Sequence, residues 1–153
     1  MLMASSSLRS GPWEQEYNGH ATCINTLAPS CYGDSYRSGL EVVDYFVRAV
    51  ALFRALDTYY ALERAEIAPH PTRRYALAGI TMALEQFSGG RVVLECRGSK
   101  NDTLHSVTYV YHLKGSLQTG HFVPARDLTK EGDAANCAPT VRYLPKRPNG
   151  DEL

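Results

Sequence analysis

Residues 91–113 read RVVLECRGSKNDTLHSVTYVYHL and carry the clearest structural signal of this chain. The β-branched and aromatic residues of 91–97 and 104–113 favour strands, and apolar side chains alternate along one face of the second segment. Between the two segments lie glycine, serine, asparagine and aspartate, which are typical of a turn. The pattern therefore predicts an antiparallel β-hairpin.

A helix is expected before this hairpin, over residues 39–56. Ser38 and Glu41 have the spacing of a capping box, in which each side chain bonds to a backbone N–H at the start of the helix. Apolar residues then recur every three or four positions, as one face of a helix requires. We expect this stripe to face the core. It consists of Val43, Phe46, Val47, Val50 and Phe53.

Two segments between the helix and the hairpin fit either regular structure. Residues 58–67 combine good helix formers with a tyrosine pair that favours a strand. Residues 73–87 alternate as a strand would, but they also show helical spacing and are followed by two glycines. We predict strands for both segments, and helices stay the alternative. A further short strand is predicted near 141–144.

The order of one helix and then four strand-like segments resembles the cystatin and latexin group over residues 39–113. The segments that carry the resemblance are 49–53, 74–77 and 92–96. In that group one long helix is wrapped by an antiparallel sheet. The resemblance implies an α+β fold in which one amphipathic helix packs on an antiparallel β-sheet. The loop at 68–73 departs from the Gln-x-Val-x-Gly loop of cystatins that inhibit papain-like proteases.

Length and composition bound the domain organisation. The chain has 153 residues, of which 44% are hydrophobic and 21% are charged, and these values suit one globular domain. We expect an irregular N-terminal arm over 1–37, a single α+β domain over 38–145 and a flexible tail over 146–153.

The apolar runs are too short to span a membrane, so no membrane partner is expected. The 16 basic and 16 acidic side chains balance, which argues against a nucleic-acid partner.

The four cysteines bear on both metal binding and compartment. None forms a Cys-x-x-Cys pair, so we expect no metal site and no cofactor. Cys23 and Cys31 enclose a short turn-rich segment that suits a local disulfide, and Cys137 is placed to tether the C-terminal segment to Cys96. The sequence is compatible with disulfides and with free thiols. The protein is expected to be secreted if the cysteines are oxidised, and cytoplasmic otherwise.

The chain contains no phosphate-binding, dinucleotide-binding or zinc-protease motif, whereas loops, arginine and tyrosine are plentiful. Arginine and tyrosine are favoured at protein interfaces. We therefore hypothesise a non-catalytic protein-binding module of a protease-inhibitor-like or effector-like kind, whose partner is another protein. The residues that we expect to make contact are Trp13, Pro69, His70, Pro71, Arg73 and Lys114.

An enzyme is the alternative hypothesis, specifically an RNase-like hydrolase acting from the open face of the sheet. Glu95, Arg97 and His112 are its candidate catalytic residues. The carboxylate would take a hydroxyl proton, the guanidinium would stabilise phosphate charge, and the imidazole would protonate the leaving group. A second alternative is a subunit of a larger assembly, whose arm and tail become ordered only against neighbouring chains.

Overall fold

The computed structural model of the chain describes residues 11–127 and 136–146. These residues group into two units. The expected division at residues 37 and 145 stays a prediction. The first ten residues of the expected arm and residues 147–153 of the expected tail lie outside the described residues. Unit 1 consists of residues 11–54 and 113–121, and unit 2 consists of 55–112, 122–127 and 136–146.

Unit 1 begins with helix α1 (Pro12–His20), which lies in the segment where we expected irregular structure. Proline suits the first helical position because its fixed φ matches a helix and its missing N–H has no partner there to lose. Two 3₁₀ turns follow, at Asn25–Leu27 and Pro29–Ser35. They lead to helix α2 (Leu40–Ala55), as the spacing predicted.

Helix α2 does not bury the apolar stripe that we expected to face the core. Gly39 precedes the helix with a φ of 88°, and its carbonyl accepts a hydrogen bond from the Val43 N–H at 3.1 Å. No residue of α2 is buried. Val47 is 60% exposed and Phe53 is 78% exposed. The prediction of a core-facing stripe is therefore wrong, although the helix itself is confirmed.

Unit 2 contains a mixed four-stranded sheet. Its helices are α3 (Thr58–Arg64) and α4 (Leu77–Ser88). Strands β2 and β3 pair antiparallel, β1 and β6 pair antiparallel, and β3 and β6 pair parallel, which gives the order β1-β6-β3-β2. Strands β4 and β5 form a separate two-stranded sheet. The strands are β1 (Arg74–Ala76), β2 (Val92–Arg97), β3 (Thr103–Tyr109), β4 (Tyr111–Lys114), β5 (His121–Pro124) and β6 (Thr140–Arg142).

The predicted fold, one helix packed on an antiparallel sheet, is wrong. The described residues form four α-helices, and the main sheet is mixed. Residues 58–64 are helical because the Asp57 side chain caps the helix and accepts a bond from the Tyr60 N–H at 2.9 Å. Helix α4 ends where Gly89 adopts a φ of 74°, a conformation that glycine reaches without a steric penalty.

The predicted hairpin is confirmed by β2 and β3, and the predicted strand near 141–144 is confirmed by β6. The hairpin has a bulge between Glu95 and Cys96, so Cys96 pairs with Leu104. The second predicted strand is divided at Val110, between β3 and β4. The Val110 carbonyl accepts a hydrogen bond from the Ala125 N–H at 2.9 Å.

The core of unit 2 lies between α3, α4 and the main sheet, and the C-terminal segment is tied to it covalently. Cys96 on β2 forms a disulfide with Cys137. The Asn136 side chain also accepts a bond from the Cys96 N–H at 2.7 Å and donates one to the Cys96 carbonyl at 3.1 Å. Disulfides persist in oxidising compartments, so the bond favours the secreted alternative over the cytoplasmic one. The largest fully buried side chains are Leu62, Ile80, Leu84, Leu94 and Val141.

We expect Cys137→Ser to destabilise the chain strongly. The disulfide joins cysteines 41 residues apart, and loop-closure entropy for a loop of this length gives a stabilisation of about 4 kcal/mol. Cys31→Ser is the matched control, because Cys31 is a free and exposed thiol, and it should change stability by less than about 0.5 kcal/mol. Urea unfolding of both variants measures the difference. Equal stabilities would contradict the prediction.

Asp102 links three parts of the main sheet. Its carboxylate accepts bonds from Arg74 on β1 at 2.8 Å and from Arg142 on β6 at 3.2 Å, and it directly precedes β3. Arg142 also donates to the Thr103 hydroxyl at 2.8 Å. The hydrogen bond from Arg74, followed by the bond and charge of Arg142, holds the pKa of Asp102 below its ordinary value.

A lowered pKa makes the contribution of Asp102 dependent on pH. Its stabilisation is complete above the ordinary aspartate pKa of about 4 and is lost as pH falls through the lower pKa of the folded state. We therefore expect Asp102→Asn to be less stable than the unmodified chain near pH 7, with a difference that shrinks below about pH 4. Urea midpoints from pH 3 to 7 measure it, with Asp34→Asn, an exposed carboxylate, as the control. A difference that does not vary with pH would contradict the prediction.

Candidate active site on helix α1

An exposed histidine–carboxylate pair lies on α1. The Nε2 atom of His20 is 3.6 Å from the Oε2 atom of Glu16, and the two side chains are 68% and 63% exposed. Residues four apart on a helix are neighbours on its surface, so the helix itself holds the pair together. An imidazole can accept or donate a proton, and a carboxylate one turn away on the helix can contact the ring. The pair can therefore transfer protons to and from a bound substrate.

An aromatic groove opens on the same helix. The ring centroids of Trp13 and Phe46 are 5.0 Å apart and the rings are perpendicular. Tyr45 makes edge contacts with Phe46 at 5.1 Å and with Tyr17 at 5.6 Å. Trp13 is nonetheless 68% exposed. We call this cavity of about 410 Å³ the Trp13 groove, and it is lined by Trp13, Glu14, Tyr17, Asn18, Val42 and Phe46.

Trp13 and Tyr17, which line the groove, follow one helical stripe with the histidine pair, whereas neither Glu16 nor His20 lines the groove. Positions three, four and seven residues after Trp13 follow the same helical stripe, and they are Glu16, Tyr17 and His20. At 1.5 Å per residue, Trp13 and His20 are separated by about 10 Å along the axis. The Ala21 N–H donates to the Tyr17 carbonyl at 2.8 Å, which extends the helical hydrogen bonding past His20.

The Tyr17 phenol stays uncharged at neutral pH. Partial burial is the main cause that raises its pKa above the ordinary tyrosine value, and the charge of Glu41 raises it further. A neutral phenol presents an apolar ring and one hydroxyl donor. Tyr17 therefore contributes an uncharged aromatic ring to the groove, and Glu14 and Asn18 line it with polar groups.

The structure places the predicted catalytic residues on two different sheets. Glu95 and Arg97 are exposed on β2, and the Glu95 carboxylate accepts a bond from the Ser106 hydroxyl at 2.8 Å. His112 lies on β4. Arg97 pairs at the turn end of the hairpin, whereas His112 follows the opposite end of β3. The register therefore does not bring the imidazole beside the guanidinium, and the catalytic assignment of these three residues stays a prediction.

Of the predicted binding residues, His70 has a visible structural role in its own loop. Its Nδ1 atom accepts bonds from the backbone N–H groups of Arg73 at 2.9 Å and Thr72 at 3.2 Å. The backbone N–H of His70 donates to the Tyr143 carbonyl at 2.8 Å. The loop residues belong to unit 2, whereas Trp13 and Lys114 belong to unit 1. The structure does not test a binding role for these residues, which stays a prediction for Pro69, His70, Pro71, Arg73, Lys114 and Trp13.

The sequence interpretation missed the Glu16–His20 pair. The signal was available in the spacing of four residues behind a proline that can begin a helix. We had expected irregular structure over 1–37, and without a helix the two residues share no face. Among the described residues, no group of three or more metal-ligating side chains could hold a metal ion. In the same part of the chain, no helix is both long and apolar enough to cross a membrane.

Comparison with known proteins identifies relatives over most of the chain. A family model described as Ribonuclease T2 family matches residues 4–137. Ribonuclease Trv of Hypocrea rufa is 43% identical over 135 residues, which are 88% of this chain and 55% of that protein. A Ribonuclease T2-like protein of Aspergillus fumigatus is 43% identical over 136 residues, which are 88% of this chain and 32% of that protein. The chain thus spans between about a third and about a half of the length of these relatives.

A solved structure supports the same relationship. The T2 ribonuclease Actibind superposes with a TM-score of 0.78 at 38% identity, over 88% of this chain and 54% of that one. These findings overturn the cystatin and latexin resemblance. The resemblance depended on four segments predicted as strands, and two of those segments contain helices α3 and α4.

The hypothesis of a non-catalytic protein-binding module, which rested on absent motifs and plentiful arginine and tyrosine, is also wrong. The chain matches ribonucleases rather than inhibitors or effectors, so a non-catalytic module that binds another protein is not supported. The exclusion of nucleic acid is wrong as well, because ribonucleases act on RNA. That exclusion relied on the balanced net charge of the whole chain. Net charge affects non-specific attraction to phosphates, but it does not determine whether a local site binds nucleic acid. The alternative of an RNase-like hydrolase is the better supported one.

Proposed function

The chain belongs to the Ribonuclease T2 family, and we propose that it cleaves the phosphodiester bonds of RNA. The observation that carries the proposal is the match of the family model to residues 4–137. The exposed acid–base pair on α1 supports it, because strand cleavage requires groups that move protons at the attacking and leaving oxygens. Unpaired RNA is the substrate form that we expect, since its bases are free to stack on aromatic side chains.

His20 is the proton-transfer group that we assign. As a neutral imidazole it accepts the proton of the attacking hydroxyl, and Glu16 stabilises the resulting positive charge. The imidazolium can then return a proton to the leaving oxygen. Glu16 acts through His20 and is a positioning residue. The exposure of both side chains leaves them accessible to a phosphodiester in a flexible strand.

A second assignment for the same activity is Glu95, Arg97 and His112. Its support is chemical, because a carboxylate, a guanidinium and an imidazole supply a base, a phosphate contact and an acid. The Glu95 carboxylate already accepts a bond from Ser106, which keeps it on the outer face of the hairpin. A comparison of His20 and His112 variants separates the two assignments.

We also propose that the protein is secreted or vacuolar. The Cys96–Cys137 disulfide supports this, since cytosolic thiols are normally kept reduced.

We expect His20→Ala to reduce kcat for cleavage of a single-stranded RNA oligonucleotide by roughly 10²- to 10⁴-fold, the usual contribution of a positioned acid–base group. Glu16→Gln should reduce kcat less than His20→Ala does and should change the pH profile of kcat. The substitution removes the carboxylate beside the imidazole but leaves the ring in place. His112→Ala tests the second assignment. If His20 carries the proton transfer, the activity of His112→Ala equals that of the unmodified chain.

Initial rates from pH 5 to 8 measure these effects, with thermal unfolding to verify that each variant is folded. No cleavage by the unmodified chain across this range would overturn the proposed activity. Full activity of His20→Ala would overturn the assignment to α1. Loss of activity in His112→Ala alone would favour the hairpin residues.

A further inference from the structure

We propose that Asn101 carries an N-linked oligosaccharide, which is attached in the secretory pathway before β6 joins the main sheet. Asn101-Asp102-Thr103 is the single Asn-x-Ser/Thr triplet among the 153 residues, and its middle residue is not proline. The inference goes beyond the proposed ribonuclease activity and rests on the proposed route out of the cytosol. The Cys96–Cys137 disulfide supports that route.

The acceptor side chain lies in an exposed turn. Residues 98–101, which connect β2 to β3, are all exposed. Within the described part of the chain, the Asn101 side-chain amide has no hydrogen-bond partner. An oligosaccharide on its nitrogen therefore displaces no structural contact of the described residues. A bulky, hydrophilic group needs such a surface position.

The backbone at Asn101 is held on both sides. The Asn101 N–H donates to the Gly98 carbonyl at 3.1 Å, and the Asn101 carbonyl accepts from the Ala138 N–H at 2.8 Å. The φ of Asn101 is 48°, in the left-handed region that asparagine adopts more readily than most other residues. The turn therefore suits asparagine, and its geometry keeps the modified residue at the turn end of the hairpin.

The hydroxyl of the triplet is engaged once the chain has folded. Thr103 is the first residue of β3, and its hydroxyl accepts a bond from the Arg142 side chain of β6 at 2.8 Å. The Arg142 backbone N–H also donates to the Asp102 carbonyl at 2.8 Å. The triplet is defined by both the asparagine amide and the hydroxyl two residues later, so the transferase must reach both groups. We therefore place the transfer before β6 pairs with β3.

The transfer uses a lipid-linked oligosaccharide diphosphate as its co-reactant. The Nδ2 atom of Asn101 attacks the anomeric carbon of the first sugar, and a C–N bond forms as the C–O bond to the diphosphate breaks. The amide loses one proton, and the lipid diphosphate leaves with the electron pair of the broken bond. Nothing is oxidised or reduced, so this donor is the one co-reactant that the step requires.

Secretion of the full chain from a yeast host, behind a secretory leader, tests the site. The leader delivers the chain to the compartment of the transferase, so the result does not depend on the natural route of the protein. Intact mass before and after treatment with peptide N-glycosidase measures the oligosaccharide. We expect the treatment to lower the mass, and peptide mapping to place the change at Asn101. An unchanged mass would overturn the proposal.

Variants of the triplet separate modification from folding. Asn101→Gly should lose the oligosaccharide, and glycine adopts a φ of 48° without strain. Thr103→Ala should lose it too, whereas Thr103→Ser should keep it, because serine retains the hydroxyl that Arg142 contacts. Asn25→Gln is the matched control, since Asn25 is exposed but lies outside the triplet. A mass loss in Asn101→Gly that equals that of the unmodified chain would contradict the site.

The order of events has its own test. Solubilised yeast microsomes supply the transferase and the donor, and the acceptor is unglycosylated chain produced in bacteria. We expect transfer to the reduced and unfolded chain, and none to the folded chain with an intact Cys96–Cys137 disulfide. Equal transfer to both forms would overturn the order, and transfer to neither would overturn the site. A glycosylated chain that does not cleave RNA would contradict the proposed function alone.

Discussion

The structure of unit 2 depends on the placement of β6 between β1 and β3. This strand comes from the end of the described chain, yet it pairs antiparallel with β1 and parallel with β3. Val141 at its centre is fully buried. The sheet is complete only when the C-terminal segment has returned to it, and contacts between segments distant in sequence are costly to form because the intervening chain must close a loop.

Covalent and ionic contacts hold this segment in place from two sides. The Cys96–Cys137 disulfide and the Asn136 amide join it to β2 just before β6 begins. Asp102 joins it to β1 and to the start of β3 through Arg142 and Arg74. A short strand of three residues has few backbone bonds of its own, so these additional contacts determine its position.

Helix α1 shows a different relation between structure and chemistry. Its Glu16 and His20 side chains are exposed and are aligned by helical periodicity, so their pairing requires little burial. Burial in unit 1 is limited on α2 as well, where Val47 and Phe53 remain open to solvent. A helix can therefore bring side chains together on its surface even where few of its residues are buried.

Local patterns in the sequence were sufficient for the hairpin, for α2 and for β6, because turn residues, helical spacing and a β-rich run act over a few neighbouring residues. Local patterns were insufficient for residues 77–88, where the apolar positions fit both the period of a helix and the period of a strand. The helix prevails there because it buries Ile80 and Leu84 together, and Gly89 then ends it. The Glu16–His20 pair was missed for a related reason, since the pair exists only once the segment is helical.

The sequence by itself determined the existence of the hairpin and of the long helix, and its spacing already contained the acid–base pair. The tertiary structure alone decided which segments share a sheet, that Cys23 and Cys31 are free thiols rather than a local disulfide, and that the α2 stripe remains exposed. These outcomes depend on contacts between residues far apart in the chain. Such contacts have no periodic signature, so they become apparent only when the segments pack.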